Sequence, residues 1–152
     1  MKPGIVTAAR AGRARMALLT VVLVVVAALS VVSATPVLAK EGLAREKDIF
    51  DRLVLGAVVS EIYTKCDRIA PRKLRAFFFV MGTLNMARNR GYSKQDIDRF
   101  RSDPAQQKRL RREAEAVLKK HGVKFDDPES YCTAGFAEIE KKSDIGYYLQ
   151  PE

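Results

Sequence analysis

From Met16 to Val32 the chain carries an unbroken uncharged stretch dominated by Val, Leu and Ala, and the only charges before Lys40 are Lys2, Arg10, Arg13 and Arg15 ahead of it. A basic start, an apolar run and a short polar exit are the parts of an export signal, with the positive end kept on the cytoplasmic side. After Ser33, Ala34, Thr35 and Pro36 the order Val37-Leu38-Ala39 places small residues three and one before a cut, so cleavage after Ala39 is expected. The competing reading is an uncleaved anchor, because the apolar run approaches the roughly 18 to 20 residues of a membrane span. Arg13 and Arg15 flank Ala14 rather than forming an adjacent pair, which speaks against the twin-arginine route for folded cargo. The expectation is therefore a signal segment over 1–39 and one periplasmic domain over 40–152 that folds after export.

Loss of 1–39 removes four of the 27 basic residues and none of the 18 acidic ones, so the net charge falls from +9 to +5. What remains suffices for one modest core and is small enough for a covalent staple to matter. The punctuation of that region reads as helices. Leu55, Val59, Ile62 and Cys66 recur at helical spacing in a first helix from Lys47 to Cys66. A second, over 71–90, is expected to start on Pro71 and to end at Gly91. Its centre, Ala76-Phe77-Phe78-Phe79-Val80-Met81, is apolar almost all round, which predicts a central helix covered by its neighbours.

Ser93 with Asp96 has the pattern of a capping box for a short third helix to about Arg101. Ser102-Asp103-Pro104 opens a fourth, whose apolar stripe runs to His121 before Gly122, and Asp127-Pro128 opens a fifth carrying Cys132, Gly135, Phe136 and Ile139. No alternating β-branched run follows Ala39, so no sheet is expected, and the tail from Ser143 is ambiguous. The predicted fold class is all-α: a small five-helix, bundle-like domain with one disulfide, preceded by the signal segment.

Cys66 and Cys132 are the strongest chemical signal, since an even cysteine count in an oxidising compartment, on two apolar helix faces, favours pairing. The alternative is two buried free thiols; a redox role lacks the Cys-x-x-Cys motif. His121 is the single histidine, which removes a multi-imidazole zinc site, and without Cys-x-x-Cys-His covalent haem is not expected. Beside Lys119 and Lys120 it reads as a cation meeting a helix C-terminus. Asp126, Asp127 and Glu129 lack calcium-loop spacing and read as a helix-start cap. The pairs Glu138/Glu140 and Asp96/Asp98 stand two apart on helices and do not face one another. Phosphate-loop and nucleophile-elbow motifs are absent from the sequence, so no catalytic residue and no cofactor is assigned.

Arg72, Lys73 and Arg75, with Lys108, Arg109, Arg111 and Arg112, form a candidate basic patch for acidic polymers or anionic membranes, weighed against a solvated surface balanced by Glu113 and Glu115. Nucleic acid is not an expected partner.

Gly91-Tyr92-Ser93, Ser102-Asp103, the run Asp127-Pro128-Glu129-Ser130-Tyr131-Cys132, and Ala137-Glu138-Ile139 through Ile145-Gly146 resemble a small secreted bacterial family designated domain of unknown function 5333. The likeness spans about residues 47 to 149. It implies a secreted architecture with two cysteines and carries over no activity, ligand or functional residue. The long basic start before the apolar run departs from the simplest pattern of that family.

The leading expectation is a non-enzymatic structural or protein-interaction domain of the periplasm with an envelope protein as partner. The alternatives are an electropositive binder of anionic envelope surfaces and an enzyme of unrecognised type.

Overall fold

A computed structural model of the chain describes residues 42–152. The predicted signal segment and its cleavage site lie outside the described residues.

The described chain opens with a 3-10 turn, Leu43–Arg45, and continues through α1 (Lys47–Lys65), β1 (Ile69–Pro71), α2 (Lys73–Asn89), α3 (Lys94–Ser102), α4 (Pro104–Lys120), α5 (Pro128–Lys141), α6 (Asp144–Tyr147) and β2 (Leu149–Pro151). The five expected helices are α1 to α5, and α6 falls in the tail the sequence left ambiguous. Among the described residues no helix is long and apolar enough to cross a membrane.

The helix starts follow local chemistry. Ser93 accepts from the Asp96 N–H while the Asp96 carboxylate accepts from the Ser93 N–H, which is the reciprocal capping box. Asp103 and Asp127 accept from N–H groups of the first turns of α4 and α5, each followed by a proline whose missing N–H is not needed there. Gly91 and Gly122 stop α2 and α4 at φ 77° and 83°, where a side chain would be strained.

Two expectations are corrected here. Pro71 does not open α2; it ends β1, which pairs antiparallel with β2 in the register Ile69↔Pro151, Ala70↔Gln150 and Pro71↔Leu149. The sequence reading saw no sheet because each strand has three residues, too short for a period, and the partner lies far along the chain. Both prolines occupy strand ends, where the lost N–H costs little.

α1 is the element on which the domain is assembled, and it packs far more extensively on α4 and α5 than on α2. One core joins Val58, Ile62, Cys66, Ile69, Leu118 and Leu149; a second joins Ile49, Phe50, Ala87, Tyr92, Ile97 and Phe100. The sulfurs of Cys66 and Cys132 stand at bonding distance, 2.05 Å, with Cα atoms 5.1 Å apart. This links the C-cap of α1 to the start of α5 within the first core.

A third correction concerns α2, which is not central. Leu74, Phe77, Phe78 and Val80 are 75%, 57%, 68% and 53% exposed. Only the side bearing Thr83 and Ala87 is buried. Apolar composition all round requires cover, and the neighbouring helices supply it on one side only.

Candidate functional site

The uncovered face of α2 is the feature that departs furthest from an ordinary domain surface, where large apolar side chains are scattered singly. Leu74, Phe77 and Phe78 follow at spacings of three and one, so they stand together on one side of the helix. Phe77 and Phe78 touch edge to face with ring centroids 5.6 Å apart. α2 contains no acidic residue, and the cations Arg72, Lys73 and Arg75 gather at its N-terminal end.

Two of those cations, Arg72 and Arg75, are held in place by the tail. Arg72 donates from Nε to the carbonyl of Leu149 at 2.8 Å, and Arg75 from Nη1 to the carbonyl of Tyr147 at 2.9 Å. The Arg75 guanidinium also lies 4.1 Å from the centre of the Tyr147 ring, which is 51% exposed. Among the described residues, no carboxylate comes within ion-pair distance of Arg72, Lys73 or Arg75. Their positive charge is thus fixed beside the apolar face and left uncompensated at contact range.

The structure does not join these three to the other half of the candidate patch, since α2 and α4 pack separately on α1. Arg109 donates to the carbonyl of Ala44 at 3.0 Å and lies 4.2 Å over the Phe50 ring, so it closes the second core. Arg112 faces Glu113 at 3.9 Å, and Lys108 and Arg111 are exposed.

Between α1 and α2 lies a cleft of about 690 Å³, lined chiefly by apolar groups that include Leu53, Gly56, Val59, Val80 and Leu84. Arg52 crosses it, donating from Nε to Thr83 Oγ1 at 2.9 Å and from Nη2 to the Phe79 carbonyl at 3.3 Å, with its guanidinium 4.4 Å over the Phe79 ring. The sequence offered one signal for this residue: it is the one arginine of α1, placed directly before the apolar run Leu53-Val54-Leu55.

Glu138, which the sequence presented only as one of a non-facing pair with Glu140, is 3% exposed. Its Oε1 lies 3.0 Å from His121 Nδ1 and 3.1 Å from Lys141 Nζ. Burial pushes its carboxyl upward, but hydrogen bonds from Ser143, Lys141 and His121 outweigh this and hold it below the ordinary value. The group ties the end of α4 to α5 and lines none of the cavities described, so we read it as structural. The clue in sequence was a carboxylate four residues after Ala134 on the inward face of α5.

Cys66, Asp67 and Cys132 come close enough to suggest metal ligands, but sulfurs bonded to one another have no thiolate to offer. Asp127 serves as a cap and Glu129 pairs with Arg68 at 2.5 Å, so both have structural work.

A family model described as a family of unknown function (DUF5333) matches residues 41–150. Neither a curated protein nor a solved structure matches the chain.

Proposed function

This chain belongs to the DUF5333 family of unknown function, and from its geometry we propose that it is a non-enzymatic envelope domain that docks on anionic bilayer surfaces through the outer face of α2. The observation that carries the reading is the pairing of exposed Leu74, Phe77 and Phe78 with Arg72, Lys73 and Arg75 on a helix that has no acidic residue. An interfacial helix needs this combination: aromatic and aliphatic groups at the acyl boundary, with cations at head-group level.

Each apolar side chain taken out of water contributes up to roughly 1.5–3 kcal/mol, and each cation near an anionic leaflet about 1 kcal/mol. The export-type start of the sequence supports a site of action outside the cytoplasm. A protein partner, the leading expectation from sequence, would cover the apolar groups but would also have to supply acidic residues opposite the cations.

The test is co-sedimentation of the purified protein with phosphatidylglycerol or phosphatidylcholine vesicles at low and high salt. Binding confined to the anionic vesicles, weakened by salt and abolished in a Leu74→Ser/Phe77→Ser/Phe78→Ser variant, is expected. Equal binding to both vesicle types, or unchanged binding by the variant, would sink the proposal.

A further inference from the structure

The cleft behind α2 is a separate feature from its outer face. It is a partly open groove of about 690 Å³ between α1 and α2, bordered also by Phe100 of α3 and Leu110 of α4. That volume falls within the roughly 300–1,000 Å³ of small-molecule sites. It persists because the facing positions are small: Gly56 on α1, and Ala76 and Thr83 on α2. A Cβ built on Gly56 would already stand 3.4 Å from the Phe79 ring.

The charged groups of the cleft are all cationic: Arg52, Lys73 and Arg101 line it among mostly apolar side chains, and no carboxylate of the described residues lies within ion-pair distance of any of the three. Two of the five N–H groups of a guanidinium are taken at Arg52, by Thr83 and Phe79, so three remain for an anion. Asp51 and Asp144 line the adjoining cavity, which Arg52 also borders, but neither pairs with it. From Arg52 the apolar wall of α1 continues through Gly56 and Val59 to Tyr63, eleven residues on and therefore about 16 Å along the helix axis. Cationic charge without an acidic partner, above all at Arg52 with its remaining N–H groups, and a long, mostly apolar wall leading from it match a head group and a tail.

We infer that the cleft between α1 and α2 binds one long-chain anionic amphiphile, with the alkyl chain between the helices and the head group on Arg52. Free fatty carboxylates and lysophospholipids share this chemistry. Charge complementarity selects them over neutral or cationic amphiphiles.

The experiment uses the purified protein with hexadecanoate, lysophosphatidylglycerol, hexadecanol and hexadecyltrimethylammonium, read by isothermal titration calorimetry. Saturable one-to-one binding of an anionic probe is expected, and whichever of the two anions binds more tightly names the source. Arg52→Gln should weaken anion binding about tenfold, equivalent to ~1.4 kcal/mol, while leaving hexadecanol unchanged. Gly56→Leu and Leu84→Trp fill the trough and should abolish binding, whereas Phe78→Ser on the outer face should leave it intact, which separates this inference from bilayer docking. A photoreactive hexadecanoate supplies a readout that does not depend on any variant folding. Cross-links mapped to the facing walls of α1 and α2 support the site. Cross-links confined to Phe77 and Phe78, absence of saturable binding, or full anion affinity in Arg52→Gln would overturn it.

Discussion

The α-carbon of Gly146 lies so near the main-chain carbonyl of Glu138 that a Cβ there would overlap it. The approach is made by Lys142, which turns the chain at φ 53°, and by the Ser143 N–H, which donates to that same carbonyl at 3.2 Å. The obstacle is backbone rather than a side-chain tip, so it has little room to give. Gly146→Ala should therefore cost about 3 kcal/mol, seen as a lower urea midpoint at an unchanged slope. A variant as stable as the parent would mean that α6 does not pack on α5 in this way.

Glu138 makes the fold acid-sensitive. Its folded-state carboxyl is held below the ordinary value of 4.5, so its contribution is complete above that value and is lost as pH falls through the lower, folded one. Urea midpoints measured across the acid range should decline below about pH 4.5. In Glu138→Gln that decline should be shallower, and the variant should be about 1–3 kcal/mol less stable at neutral pH because His121 and Lys141 lose a charged acceptor held in the interior. Identical acid profiles for the two proteins would contradict this assignment.

The disulfide closes a sequence separation of 66 residues. On the loop-entropy model such a closure restricts the unfolded chain by about 4 kcal/mol. Replacing both cysteines by serine should lower stability by roughly 2–5 kcal/mol, since two hydroxyls also enter an apolar site. Mass mapping of the non-reduced protein should recover the two cysteine peptides joined; both thiols alkylated without reduction would count decisively against the bond.

Two apolar side chains should respond in opposite ways to truncation. Ile62 is fully buried, and Ile62→Ala should cost about 2–5 kcal/mol through lost contacts and the cavity left behind. Phe78 is 68% exposed, so Phe78→Ser should change stability by less than about 0.5 kcal/mol while reducing vesicle binding. Comparable destabilisation by both would show that α2 is covered in solution.

The sequence by itself determined most of the points where helices start and stop, the start of α2 excepted. The capping box at Ser93 and Asp96, the Asp-Pro starts of α4 and α5, and the glycine stops at 91 and 122 all depend on hydrogen bonds and backbone angles settled within a few residues. The meeting of Cys66 and Cys132 was legible too, because each sits on an apolar stripe that had to face the same core.

Tertiary structure alone decided what those helices cover and what their cations do. Pro71 became a strand end because Leu149 stands opposite it, and no residue near Pro71 announces that partner. Arg72, Arg75 and Arg109 look alike in sequence to Lys108 and Arg111, yet the first three donate to carbonyls from distant parts of the chain. The apolar centre of α2 demanded cover without saying how much it would receive. α1 turns its buried side mainly to α4 and α5, so Phe77 and Phe78 remain outside and the cleft around Arg52 stays open. A hydrogen bond within one turn is specified by its neighbours, whereas the burial of a side chain depends on which distant surface packs against it in the finished fold.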